Sequence, residues 1–316
     1  MKKGVHLKNS EEIVGEWDSV LIDKANIYNQ INKLRQANKY DIYFNLCYDS
    51  LEGNLAGYEV IRALDYYNLA YTVASEKAFL LKKSEMKYLA LEFEINSPKY
   101  CFAYSEKDIE LADRIIGTYP IFVKHFNGND SIGITLHSKV GNFDEMKIMA
   151  QKFIFEYGGA LIEEYIDGRE FTVLVIENDK NKNEPFVLDP VESLFLNGDS
   201  FYHFDVKWNN TNQALTRMKM VDQKLPLRDK LVNIAKKAFI NMHSKGYARI
   251  DMRCDKNETL YFLEINNVPT TFWHKPDENY SDFIIKNNSS FKPEEIVYHI
   301  IYLGLYKHKN RTITYE

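Results

Sequence analysis

The sequence predicts a mixed α/β fold of α+β character, and three observations carry that prediction. Two runs near the C-terminal end, Ala248 to Arg253 and Tyr261 to Asn266, alternate apolar and polar residues as half-buried strands do. Further short apolar runs of strand length are separated by segments whose apolar residues recur at helical spacing. Finally, 316 residues with 45% apolar content are enough for two or three domains with substantial cores.

In chain order, Ser19–Ile22 and Asp41–Leu46 read as short buried strands with a helix, Ile27–Ala37, between them. A loop at Glu52 to Gly57 enters a second helix, Tyr58–Tyr67, where Val60, Ile61, Leu64 and Tyr67 follow the helical period. Leu69–Val73 returns as a strand, and Ser75–Leu91 reads as one lysine-bearing helix. From about residue 98 to 178 strands alternate with one helix: Tyr119–Phe126, Ala160–Ile166 and Phe171–Ile176 are strand-like and Asn142–Tyr157 is helical. The remainder holds further strands, a helix at Pro226–Lys245, the alternating hairpin, and a closing helix from Pro293. Glu294 and Glu295 in its first turn favour the helix dipole. The expected domains are 1–75, 76–178 and 179–316.

Composition excludes several classes of function. A net charge of −5 without a Lys/Arg run argues against a nucleic-acid binder. No apolar stretch approaches the roughly 20 residues of a membrane span, and the N-terminus lacks the apolar core of a signal peptide. Three separated cysteines show no metal or disulfide pattern, so they are expected as reduced thiols in a cytoplasmic protein.

Chemistry concentrates in three places. On the hairpin, Arg249 and Asp251 share one strand face, while Glu264 and Asn266 share a face of the next strand. With an even-numbered loop, odd residues pair with even ones, which sets Asp251 on the face of Glu264 and Asn266. Tyr261, Leu263 and Ile265 then point the other way. Two carboxylates, an amide oxygen and an arginine suit a divalent cation bound to phosphate; a solvated polar face is the plain alternative. Second, Ile121-Phe122-Val123-Lys124 ends a strand at a flexible glycine-containing loop, residues 125 to 134, that could hold phosphate or be a simple turn. Third, Leu161 to Val173 is an apolar strand leaving through Glu163, Glu164 and Tyr165. It turns at Asp167-Gly168 and re-enters beside Glu170. Carboxylates at such a rim can accept from an adenine amino group or ribose hydroxyls, or can simply be exposed acids beside a turn.

Taken in order, the Phe-Val-Lys strand and its Ser131-Ile132-Gly133-Ile134 loop, the Leu161–Val173 hairpin, Ala248–Arg253, and Leu263–Asn266 with Pro269 behind it resemble the ATP-grasp superfamily. Within it they resemble the D-alanine–D-alanine ligase branch. The resemblance covers about residues 40 to 305. It implies an ATP-grasp fold in which nucleotide lies between two α+β subdomains, preceded here by a small, shortened α/β N-terminal domain. It further implies an ADP-forming carboxylate–amine ligase that uses ATP and Mg²⁺, with Mn²⁺ as an alternative ion. By the same resemblance, Lys83, Lys124, Glu163, Tyr165, Glu170 and Ser131 bind nucleotide, and Lys207 lies on a loop that closes over phosphate. Asp251, Glu264 and Asn266 ligate metal, and Arg249 stabilises the oxyanion. The partners implied are a small-molecule carboxylate and amine, no nucleic acid, no membrane, and a second copy of the chain as a homodimer.

The departures fall on the amino-acid side. The branch's N-terminal glutamate motif has no counterpart in residues 1 to 16. Its loop serine falls at Asp130, its lid tyrosine at Trp208, and its carboxylate-binding serine near Lys275. Its Pro-Gly-Met-Thr run reads Pro269-Thr270-Thr271-Phe272. The sequence therefore points to a ligase joining amino acids or related small acids other than two D-alanines. The alternatives are a D-alanine–D-alanine ligase with an eroded N-terminus and an ATP-binding regulatory protein without turnover.

Overall fold

The computed structural model describes residues 16–48, 55–72, 74–128, 132–195, 201, 216–271 and 279–311. Its centre is a pair of sheets. The first has four antiparallel strands in the order β1-β4-β2-β3: β1 Tyr100–Ala103, β2 Ile121–His125, β3 Lys139–Val140 and β4 Ala160–Glu164. Period-two alternation divides its faces. Ile121, Val123, Ala160 and Ile162 enter a core against helices α5 (Glu106–Ile116) and α6 (Phe143–Tyr157). Phe122, Lys124, Leu161 and Glu163 alternate with them and so lie on the opposite face.

Helix α5 is a second helix where one was expected between about residues 98 and 178. Its buried Ile109, Ala112 and Ile116 follow the helical period, and Gly117 closes it at φ 69°. Helix α6 begins as expected, with the Asn142 side chain accepting from Glu145 N.

The second sheet runs β10-β9-β5-β7-β8, with β6 paired to β5. Its strands are β5 Gly168–Ile176, β6 Phe186–Val187, β7 Val191–Phe195, β8 Thr216–Met220, β9 Tyr247–Asp255 and β10 Leu260–Asn266. The chain crosses between sheets at 164–168, so β5 belongs to the second sheet although it precedes the expected boundary at 178. Phe171, Val173, Ile250, Met252, Phe262 and Ile265 form a core with helices α4 (Lys83–Glu92) and α7 (Pro226–Asn241). On the other face, Leu174, Ile176 and Tyr247 pack with α8 (Tyr280–Asn287) and α9 (Pro293–Lys309).

The β9–β10 hairpin departs from the simple even-loop register. Next to the turn, Leu260 pairs with Cys254 and Phe262 with Met252, even with even. A bulge between Phe262 and Glu264 then shifts the pairing, so that Glu264 lies opposite Asp251 and Asn266 opposite Arg249. The bulge inserts one unpaired residue and resets alternation. For that reason Phe262 and Ile265, rather than Leu263 and Ile265, are the core residues of this strand.

At the N-terminal end, α1 (Ile27–Ala37) and α2 (Tyr58–Tyr66) pack around Ile27, Ile31, Val60 and Leu64, as expected. The strands expected here are almost absent. Asp41–Leu46 and Leu69–Val73 reduce to one parallel bridge, Tyr43 to Tyr71, with Val73 outside the described residues, and Ser19–Ile22 forms no strand. Leu21 is 91% exposed, so that segment buries too little to order a ladder. The helix expected over Ser75–Leu91 is two, α3 (Glu76–Phe79) and α4. The break sits where the Glu85 carboxylate accepts from Lys82 N and starts a new helix. Among the described residues no helix is long and apolar enough to cross a membrane.

Candidate active site

Helix α4 brings two lysines to one side, because residues four apart share a helix face. Lys83 Nζ contacts Glu264 Oε2 on the second sheet. Lys87, one turn on, is fully buried and contacts Glu163 Oε1 on the first sheet. The helix therefore ties the two sheets together through charge. Lys124, on β2, contacts the other Glu163 oxygen. Burial pushes the Glu163 carboxyl up, but Lys124 and Lys87 outweigh it and hold the group at about 2. Burial lowers Lys87, partly opposed by Glu163 and reinforced by the second cation, Lys124.

On the second sheet, three strands present polar residues to one face. Asp251 accepts from Thr172 Oγ1 at 2.8 Å and from Arg249 Nη2 at 3.0 Å. Glu170 pairs across the ladder with Arg253, whose Nη1 donates to Glu170 Oε2 at 3.0 Å and whose Nη2 donates to the Gly168 carbonyl at 2.9 Å. Close approach of β5 to β9 requires glycine at 168: its φ is 153°, and a Cβ there would lie 2.1 Å from the Cys254 carbonyl.

The carboxylates here are unevenly neutralised. Burial raises Glu264, but Lys83, Lys124 and Arg249 bring it down to about 2. Glu170 rises to about 7, first through burial and then through the charges of Asp251 and Glu264, against which Arg253 is insufficient.

An aromatic group sits beside these charges. Phe122 stacks on Tyr165 at 6.2 Å, and Phe201 meets Phe122 edge-on at 5.0 Å. Lys139 Nζ lies 4.1 Å and the Arg253 guanidinium 5.1 Å from the Tyr165 ring centre. Aromatic rings set among cations are a suitable setting for a flat, anionic ligand.

Of the residues singled out from sequence, Lys83, Lys124, Glu163, Tyr165, Glu170, Arg249, Asp251, Glu264 and Asn266 lie on the facing sides of the two sheets or on α4 between them. Asp130, Ser131, Lys207, Trp208 and Lys275 lie outside the described residues. Three residues escaped the sequence reading. Lys87 was legible as the helical i+4 partner of Lys83. Arg253 was legible as the next residue on the face of Arg249 and Asp251. Thr172 carried no signal, since only the β5–β9 register sets it opposite Asp251.

The donor chemistry fits a divalent cation. Asp251 and Glu264 are direct cross-strand neighbours with Asn266 two residues on, and all are hard oxygen donors on one face. Side-chain cations Arg249 and Lys83 neutralise the two carboxylates in this structure. The Asn266 oxygen accepts from Val268 N and retains a second lone pair. Among the described residues no group of three or more His, Cys, Asp or Glu side chains is clustered for a metal, so the set has two carboxylates and an amide.

Residues 92–274, more than half of the chain, match the family described as D-Ala D-Ala ligase C-terminus. A D-alanine–D-alanine ligase from Halothermothrix orenii is 29% identical over 268 residues, covering 78% of this chain and 73% of that protein. Among solved structures, a D-alanine–D-alanine ligase from Coxiella burnetii superposes with a TM-score of 0.65 at 17% identity, covering 85% of this chain and 69% of that one. A Bacillus anthracis D-alanine–D-alanine ligase complexed with ATP gives 0.64 at 15% identity, covering 90% and 85%. At these identities the structural likeness establishes the fold, and that fold is ATP-grasp.

Proposed function

The chain belongs to the D-Ala–D-Ala ligase C-terminal family of ATP-grasp proteins, and from that premise we propose how its site works. It is an ATP-dependent carboxylate–amine ligase that joins amino acids or related small acids and releases ADP and phosphate. The observation that carries the reading is the layer of charge between the sheets, where Lys83 meets Glu264 and Lys87 and Lys124 meet Glu163, beside the oxygen donors Asp251, Glu264 and Asn266.

A carboxylate is a poor electrophile, so the γ-phosphate of ATP first passes to it and gives an acyl phosphate. Most of the catalysis of that transfer is positioning and charge neutralisation. Lys124, fixed on Glu163, meets the nucleotide from the first sheet and Lys83 from α4, with Lys87 buried behind Glu163 and Tyr165 at the hinge. Glu170 meets the ribose from the second. Asp251, Glu264 and Asn266 would hold Mg²⁺, which when bound would supply a Lewis acid against the charge on the transferring phosphoryl group. The amine then attacks the acyl carbon, and phosphate leaves with the C–O bonding pair. Arg249, oriented by Asp251, neutralises the oxyanion of that step. The family resemblance assigns Lys207 to the phosphate and Trp208 to shielding the acyl phosphate from hydrolysis.

Substrate recognition differs from two D-alanines. Asp130 receives an amino group and Lys275 a carboxylate, so Asp130→Ala and Lys275→Ala raise KM for the amino substrates with little change in KM for ATP. The reaction is cytoplasmic and its partners are small molecules. The direct test incubates the protein with ATP, Mg²⁺ and amino-acid pairs, reading ADP release and condensed product by mass spectrometry. Product from a pair other than two D-alanines supports the reading. Product from D-alanine alone revises the substrate, and ATP binding with no turnover for any pair overturns the ligase.

A further inference from the structure

Arg253 is 4% exposed, and nothing in the scheme above employs it. Its fork is fixed on three sides. Nη1 donates to Glu170 Oε2, Nη2 donates to the Gly168 carbonyl, and the guanidinium lies 5.1 Å from the Tyr165 ring centre. Its Nε is buried with no hydrogen-bond partner among the described residues. A buried arginine is costly to desolvate, and an apolar pair at this position would stabilise the ladder as well or better. Stability alone therefore gives no reason for it.

The geometry of Glu170 does. Its Oε2 is taken by Arg253, whereas Oε1 receives no hydrogen bond from the described residues, and the side chain keeps 16% exposure. A carboxylate clasping a vicinal diol needs both oxygens turned outward, one for each hydroxyl. Here one oxygen is held by Arg253 and the other is left without a hydrogen bond from the described residues.

We propose that Arg253 is a positioning residue that makes Glu170 a one-sided acceptor, so that the nucleoside site reads one ribose hydroxyl strongly and the other hardly at all. This rests on the ATP-ligase reading and adds to it a rule of nucleotide selectivity. Arg253 never touches the nucleotide; it acts by holding Oε2.

The test measures dissociation constants of the whole protein with Mg²⁺ for a non-hydrolysable ATP analogue and for its 2′-deoxy and 3′-deoxy forms. In the wild type one deoxy form binds at least about tenfold more weakly than the parent, the weight of one hydrogen bond to a charged acceptor. The other stays within about threefold. In Arg253→Met, both Glu170 oxygens are released and the two deoxy forms converge. Arg253→Lys, which keeps one charge on Oε2, retains most of the difference, as a purely structural role would not require. Equal losses for both deoxy forms in the wild type overturn the proposal without any variant, as does an unchanged difference in folded Arg253→Met. A wild type that binds no adenine nucleotide overturns the ATP reading itself, a result distinct from binding without asymmetry.

Discussion

Glu163 and Glu170 lie on consecutive strands and are both largely buried, yet one is held at about 2 while the other rises to about 7. The difference is in the partners. On the four-stranded sheet, Glu163 has a lysine on each oxygen, so burial is more than offset without ligand. On the six-stranded sheet, Glu170 has one arginine and looks onto two further carboxylates, Asp251 and Glu264. The first sheet presents finished positive charge to an anion. The second presents Asp251 and Glu264, paired with Arg249 and Lys83, and a Glu170 that their charges and burial raise. One sheet is built to be stable alone, the other to be completed.

That contrast can be broken most forcefully at Glu163. Glu163→Gln leaves Lys87 and Lys124 buried around a neutral amide, and losing one partner of a buried ion pair costs about 3–5 kcal/mol. Chemical denaturation of the unliganded protein should show this loss. Asp251→Asn removes a donor from the sheet that awaits a cation, so ligase turnover falls by about a hundred- to a thousandfold. Its denaturation midpoint falls less than that of Glu163→Gln, because the Arg249–Asp251 pair is more exposed than the Glu163 pairs. Smaller is the split between the two α4 lysines. Lys87→Met leaves one buried Glu163 oxygen without its cation and costs stability, whereas Lys83→Met, on the more exposed Glu264, mainly raises KM for ATP.

The smallest effect is in pH dependence. Glu170 is raised above its ordinary 4.5, so the folded state binds the extra proton. The stability it contributes is fully present below about 4.5 and lost as pH rises through about 7. Glu163 and Glu264 are depressed, so their contribution is present above 4.5 and lost as pH falls toward about 2. Glu170→Gln should therefore flatten the decline between pH 5 and 7, leaving the acid limb intact. Melting curves of wild type and variant across that window test the sign.

Much of this contrast was legible in the sequence. Alternation alone places Lys124 and Glu163 on one face, since their strands bury Ile121, Val123 and Ile162 on the other. The hairpin residues Arg249, Asp251, Glu264 and Asn266 were legible too, but through a register argument that the bulge after Phe262 alters: they align because one residue is unpaired, and no local pattern marks which. The N-terminal strands were over-read, because apolar content at Ser19–Ile22 cannot reveal whether a ladder partner exists. Lys87 was passed over for Lys83 because three lysines crowd the start of α4 and sequence alone does not say which one the core swallows. The charge balance around Glu170 was beyond reach, being a sum over three strands.

We propose that the six-stranded sheet is completed by a divalent cation and the four-stranded sheet is not. Calorimetric titration of a non-hydrolysable ATP analogue, with and without Mg²⁺, tests it in wild type, Asp251→Asn and Lys124→Met. Mg²⁺ should strengthen binding in wild type and in Lys124→Met, with that gain lost in Asp251→Asn. A gain that survives in Asp251→Asn, or that disappears with Lys124 instead, would contradict it.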